Sequence, residues 1–147
     1  MRHIIFGGDG FVGRHLVPLL LDEGQDVIVA DIHKGDYRHY AKARFVPCDV
    51  TDAAAVEAVG MRADDMVYNL SAKMLSPIQV RAKRHDFFFP VNFHGTENII
   101  HAMDKAGAPN LVHYTTDMIY GHTVTYPMTE DHPVNPLGEY GLSKLKT

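Results

Sequence analysis

Ile4-Ile5-Phe6-Gly7-Gly8-Asp9-Gly10-Phe11-Val12-Gly13 sets a short apolar run directly in front of a glycine-rich loop. The apolar run suits a strand buried on both faces. Phe11 to Glu23 then reads as a helix closed by Gly24, and Pro18 inside it predicts a kink or a lost hydrogen bond. Glycine serves many tight turns, so the loop takes its meaning from its flanks. Between a strand and a helix, missing Cβ atoms let a pyrophosphate approach backbone N–H groups and the positive end of the helix dipole. Gly13 would allow close helix–sheet packing. Asp9 places a carboxylate beside that phosphate site, so it must point away or be partnered.

Further along, strands and helices alternate. Val27–Ala30, Arg44–Val46, Met66–Leu70 and Leu111–Tyr114 read as four more strands. Thr51-Asp52 carries an N-cap signal before Ala53-Ala54-Ala55-Val56, and Asn92 to Lys105 reads as a helix ending near Gly107 and Pro109. In that helix Phe93, Ile99, Ile100 and Met103 are expected to face the core. Such alternation means βαβ units, hence an α/β, doubly wound parallel sheet of the Rossmann type, with residues 1–147 as one domain.

Asp31 ends the second strand, about 20 residues beyond the glycine loop, where a carboxylate can bind both ribose hydroxyls of NAD and repel a 2′-phosphate. A loop Asp capping the next segment is the plainer alternative; the glycine loop favours the ribose role. Lys34 and Arg38 lie near enough to suit NADP, but neither follows Asp31 directly, and NAD is the expected cofactor.

Composition narrows the rest. Hydrophobic residues make up 46% and charged residues 22%, ordinary for a globular chain, and the formal net charge is −4. No broad attraction to nucleic acid or an anionic membrane follows. One cysteine, Cys48, excludes an internal disulfide and fits a reducing compartment, and no apolar run is long enough to span a bilayer, so a cytoplasmic protein is expected.

Tyr140-Gly141-Leu142-Ser143-Lys144 is a Y-x-x-x-K on a helix, with both side chains on one face. A free tyrosine, with a pKa of about 10, is a poor base at neutrality; a nearby ammonium favours its phenolate. Upstream, behind the fifth strand, stands Thr115-Thr116-Asp117-Met118-Ile119-Tyr120-Gly121. Together these segments resemble the extended short-chain dehydrogenase/reductase family, the NAD-dependent sugar-nucleotide epimerases and dehydratases, over essentially the whole chain. The resemblance implies a cofactor site at Gly7, Gly10, Phe11, Val12 and Gly13, with Asp31 and Ile32 at the ribose and Asp49-Val50 at the adenine. It adds Leu70-Ser71-Ala72 along the cofactor and Asn92 of Asn92-Phe93-His94-Gly95-Thr96. Tyr140 and Lys144 also contact the cofactor, and with Thr116 they form the implied catalytic set.

The implied chemistry is hydride abstraction from a sugar carbinol by NAD with Tyr140 as base, Thr116 holding the reacting oxygen, and Lys144 on the nicotinamide ribose, depressing the Tyr140 pKa. Dehydratases of the family carry Asp-Glu directly after the Thr; here Asp117 is followed by Met118, which counts against dehydration. Asp117 could act on substrate or simply bond to backbone. An epimerase or oxidoreductase of a nucleotide sugar leads. A 4,6-dehydratase, a dehydrogenase of a non-sugar, steroid-like alcohol, and a non-catalytic NAD-binding sensor stand as alternatives. The family also implies a homodimer of the full-length form. It implies too that the chain is the N-terminal part of a longer enzyme, lacking the C-terminal substrate region and stopping mid-helix without a cap.

Other features read more plainly. Ten histidines are present, but His94, Glu97 and His101 form no zinc signature, and no metal is expected. Arg81-Ala82-Lys83-Arg84-His85 reads as a solvated charge run, Phe87-Phe88-Phe89 as core or interface, and Cys48 as a buried strand-end residue.

Overall fold

In the computed structural model, residues 1–36, 41–74 and 84–147 are described. Five strands form one parallel sheet: β1 (Arg2–Phe6), β2 (Asp26–Asp31), β3 (Arg44–Pro47), β4 (Met66–Asn69) and β5 (Asn110–His113), in the order β3-β2-β1-β4-β5. In the β1 register, Ile5 lies between Val29 and Tyr68. The helices are α1 (Gly13–Asp22), α2 (Ala53–Ala58), α3 (Arg84–Phe89), α4 (Gly95–Ala106) and α5 (Glu139–Leu145).

Strand alternation divides the core into two layers. Ile4, Phe6, Ile28 and Val67 face one side and pack with Val56, Val59, Ile99 and Met103 of α2 and α4. Ile5, Val27 and Val29 face the other and pack with Val17 and Leu20 of α1. That is the doubly wound arrangement expected, and each expected strand is found within two residues of its bounds.

The helices differ more. α1 starts two residues later than expected and runs unbroken through Pro18. Asp52 does cap α2, accepting from Ala54 N–H at 2.9 Å, and Gly107 ends α4 in the left-handed conformation. The helix expected from Asn92 starts earlier. α3 begins at Arg84 and passes into α4 through a π-helical turn, Pro90–His94. Phe88 and Phe89 of α3 are buried, so the aromatic run is core. Ile99 and Met103 are buried as expected, whereas Phe93 and Ile100 are only partly so. α5 is described to Leu145, and the Thr147 hydroxyl donates to Lys144 O at 2.8 Å and pairs with His113 Nε2 at 2.9 Å. Among the described residues no helix is long and apolar enough to cross a membrane.

Candidate functional site

Strand order reverses between β2-β1 and β4-β5, and at such a switch point a crevice forms at the carboxyl ends of the strands. A cleft of about 580 Å³ lies there, within the range of cofactor sites. The glycine loop forms its floor. Gly7 adopts φ +72°, and a Cβ on it would stand 2.7 Å from Ser71 N, so the loops after β1 and β4 can touch only with glycine there. At Gly13 a Cβ would strike the Gly8 carbonyl, so the start of α1 can close against the glycine loop only with glycine there.

Gly7, Gly10, Asp31 and Ile32 line the cleft; Asp49 and Val50 form its β3 end and Leu70, Ser71 and Ala72 its β4 end. Asp31 is held by two backbone donors: Oδ2 accepts from Asp9 N–H at 2.9 Å and Oδ1 from His33 N–H at 3.1 Å. Asp49 Oδ1 accepts from both the N–H and the hydroxyl of Thr51, at 2.9 and 2.8 Å. Asp9 is buried, and its carbonyl accepts from Arg14 Nε at 2.9 Å. Phe11, Val12 and Gly13 do not line the cleft; Phe11 is 81% exposed with its ring edge against His15. Lys34 sits over the Phe45 ring, and Arg38 lies outside the described residues.

Two cations of the cleft escaped the sequence reading, Arg14 and Lys73. Both follow a recognised motif by one residue, the only signal that could have found them. Cys48 also lines the cleft. It is 4% exposed, and burial, reinforced by Asp49, Asp52 and Asp31, pushes its thiol up to about 11. Cys48 should therefore resist an aromatic disulfide reagent at pH 7.5 in the folded protein and react fully in denaturant. Fast labelling of folded protein would contradict this.

Thr116 and Tyr140 are joined by a hydrogen bond, and Lys144 stands one turn beyond Tyr140 on α5. Thr116 caps a 3₁₀ turn, Asp117–Ile119, accepting from Met118 N–H at 3.3 Å and donating to Asp117 Oδ1 at 3.2 Å. α5 presses against that turn: a Cβ on Gly141 would lie 2.7 Å from Met118 O. Burial raises the Tyr140 pKa, its hydrogen bond with Thr116 draws it down, and Asp117 raises it further; the net direction is up. Lys144 is not among the groups that shift it, so the expected depression by Lys144 is not seen in this arrangement. Lys144 is 4% exposed, donates to Tyr114 O at 3.1 Å, and is lowered by burial to about 8. Asn92, expected at the cofactor, is fully buried and does not line the cleft. His94 pairs with Glu97 at 2.8 Å on an exposed face, and among the described residues no group of ligands could hold a metal.

A parallel sheet in this order, with a glycine loop and a strand-end Asp at its switch point, defines a dinucleotide-binding α/β domain. The chain belongs to the NAD dependent epimerase/dehydratase family, whose model matches residues 3–147. It is 32% identical to a putative UDP-glucose 4-epimerase of Methanocaldococcus jannaschii, covering 96% of this chain and 47% of that protein. It is also 32% identical to the UDP-glucose 4-epimerase of Lactobacillus helveticus, over 99% and 44%. The crystal structure of the Bordetella bronchiseptica enzyme WbmG in complex with NAD superposes with a TM-score of 0.84 at 28% identity, covering 99% of this chain and 47% of that one. The chain thus spans about half the length of the proteins it matches.

Proposed function

We propose that this chain supplies the NAD site and the proton-transfer residues of an enzyme that oxidises a carbinol of a nucleotide sugar, with epimerisation as the outcome. What supports this reading is the switch-point cleft, together with the hydrogen bond between Thr116 and Tyr140 and Lys144 one turn further along α5. The cleft suits the cofactor: Gly7 has no Cβ where one would fill the loop junction, and Asp31 is fixed by two N–H donors. Gly7 and Gly10 would hold the pyrophosphate, Asp31 the adenosine ribose, and Asp49 and Val50 the adenine. When bound, NAD supplies the hydride acceptor.

The chain's own residues do the rest. Tyr140 takes the proton from the substrate hydroxyl while Thr116 holds the reacting oxygen. Because burial favours the neutral phenol, the phenolate needs nearby positive charge, which the oxidised nicotinamide would supply when bound. Lys144, with a pKa of about 8, keeps its charge at neutral pH and would hold the nicotinamide ribose. Met118 is exposed and apolar where a dehydratase would need a base, which favours epimerisation over loss of water. The test is a panel of UDP-, dTDP- and GDP-sugars with NAD. Interconversion of epimers without NADH accumulation supports the reading. NADH rising in step with product marks a dehydrogenase, and NAD binding without turnover on any alcohol marks a sensor.

Asp31→Ala should weaken NAD binding by about tenfold or more, the size of a charged hydrogen bond, as read by calorimetry. Unchanged affinity would remove Asp31 from the ribose site.

A further inference from the structure

Behind the cleft, one buried carboxamide joins two segments that the chemistry needs together. α3 continues into α4 across Pro90, which has no N–H and crowds the carbonyl four residues back. The helix widens there, and Gly95 N–H donates to Pro90 O, five residues back. Asn92 lies within this widened turn and is fully buried. Its carboxamide grips the Lys73 peptide as a neighbouring strand would: Oδ1 accepts from Lys73 N–H at 2.7 Å, and Nδ2 donates to Lys73 O at 3.2 Å. Nδ2 also donates to Ser143 Oγ at 3.0 Å, and Ser143 Oγ in turn donates to Tyr140 O at 2.7 Å. Both N–H groups and the oxygen of Asn92 are thereby used. Lys73 belongs to the cleft wall, whereas Ser143 shares α5 with Tyr140 and Lys144.

We infer that Asn92 is a positioning residue that couples occupancy of the cofactor cleft to the placement of α5, a step that rests on the NAD reading above. Asn92 acts through Lys73 and Ser143 rather than by touching the cofactor. A ligand that orders the Lys73 peptide orders Asn92, whose second N–H then holds Ser143 and the Tyr140 carbonyl in place. Removing the carboxamide breaks the relay at its middle. Ser143→Ala breaks it only at the helix end and leaves Lys73 fastened.

The experiment is amide hydrogen–deuterium exchange on the 147-residue chain with and without NAD, with binding followed in parallel by calorimetry. In the native chain NAD should slow exchange both in residues 70–74 and in α5, the latter by about fivefold or more, a coupling of ordinary size. In Ser143→Ala, protection of residues 70–74 should persist while the NAD-dependent protection of α5 is lost. A purely structural role predicts otherwise, because alanine is the better helix former and should leave α5 at least as protected. Asn92→Ala should lose the α5 response as well; if that variant does not fold, Ser143→Ala alone decides. Bound NAD that still protects α5 in Ser143→Ala, or never protects it in the native chain, overturns the coupling and leaves the cofactor reading standing. No binding of NAD to the native chain overturns the cofactor reading, and the coupling falls with it.

Discussion

Asp65→Ala should destabilise the fold by about 3–5 kcal/mol, the size of a broken buried ion pair. Asp65 is fully buried and receives Arg2 in a two-point bond, Nε to Oδ1 at 2.7 Å and Nη2 to Oδ2 at 2.6 Å. Oδ2 also accepts from Arg62 N–H at 2.7 Å, and Arg2 Nη2 donates to Gly60 O at 2.8 Å. Together these bonds tie the start of β1 to the turn that feeds β4, the two strands between which the cleft opens. Removing the carboxylate strands a guanidinium that is itself buried. Burial alone would push the Asp65 carboxyl up, but the bonds from Arg2 and Arg62 outweigh it and leave its pKa below the ordinary value. A carboxyl lowered on folding stabilises above its unfolded pKa, about 3.9, and loses that contribution as pH falls through the folded value. Urea midpoints measured from pH 7 downward should therefore fall below about pH 4 in the native chain, with this part of the decline missing in Asp65→Ala. Equal midpoints for the two proteins at pH 7 would show the pair to be worth nothing.

Tyr140→Phe should lower the rate of nucleotide-sugar epimer interconversion by about 10²–10⁴-fold, the range for a positioned acid–base group. The ring stays where it is, packed 5.5 Å from Phe88, so α5 should keep its place and NAD affinity should hold. Only the hydroxyl is lost, and with it the proton route that Thr116 orients. Turnover unaffected by Tyr140→Phe would sink the proposed chemistry and leave the cofactor site intact.

Much of this was legible before any coordinates, for physical reasons that differ residue by residue. The glycine loop and the Asp52 cap are turn and cap chemistry written within a few residues, and Asp31 is picked out by its interval from that loop, so spacing alone exposes them. The sheet was legible too, because strands buried on both faces are written as unbroken apolar runs such as Ile4-Ile5-Phe6 and Val27-Ile28-Val29. Phe11 and Val12 show the limit of motif reading. They belong to the loop's pattern but are absent from the lining of the cleft, and a pattern carries no information about which of its residues a cavity will expose. The helix crossing Pro90 was missed because proline ordinarily ends a helix, and only packing on both sides makes a widened turn the better solution.

From the chain alone came the parallel α/β sheet, the glycine loop and the Asp at the end of the second strand, since each rests on local propensity, periodicity and turn chemistry. Tertiary structure was needed for what depends on partners far apart in sequence. Asn92 reads as one more motif residue until Lys73 and Ser143 are brought to its carboxamide, and Arg14 and Lys73 give no signal of their own until the fold brings both to the cleft. The Tyr140 proton likewise follows burial and the Thr116 bond rather than the nearby lysine expected from spacing. Spacing specifies which residues share a helix face, but desolvation and long-range hydrogen bonds exist only once the chain has packed.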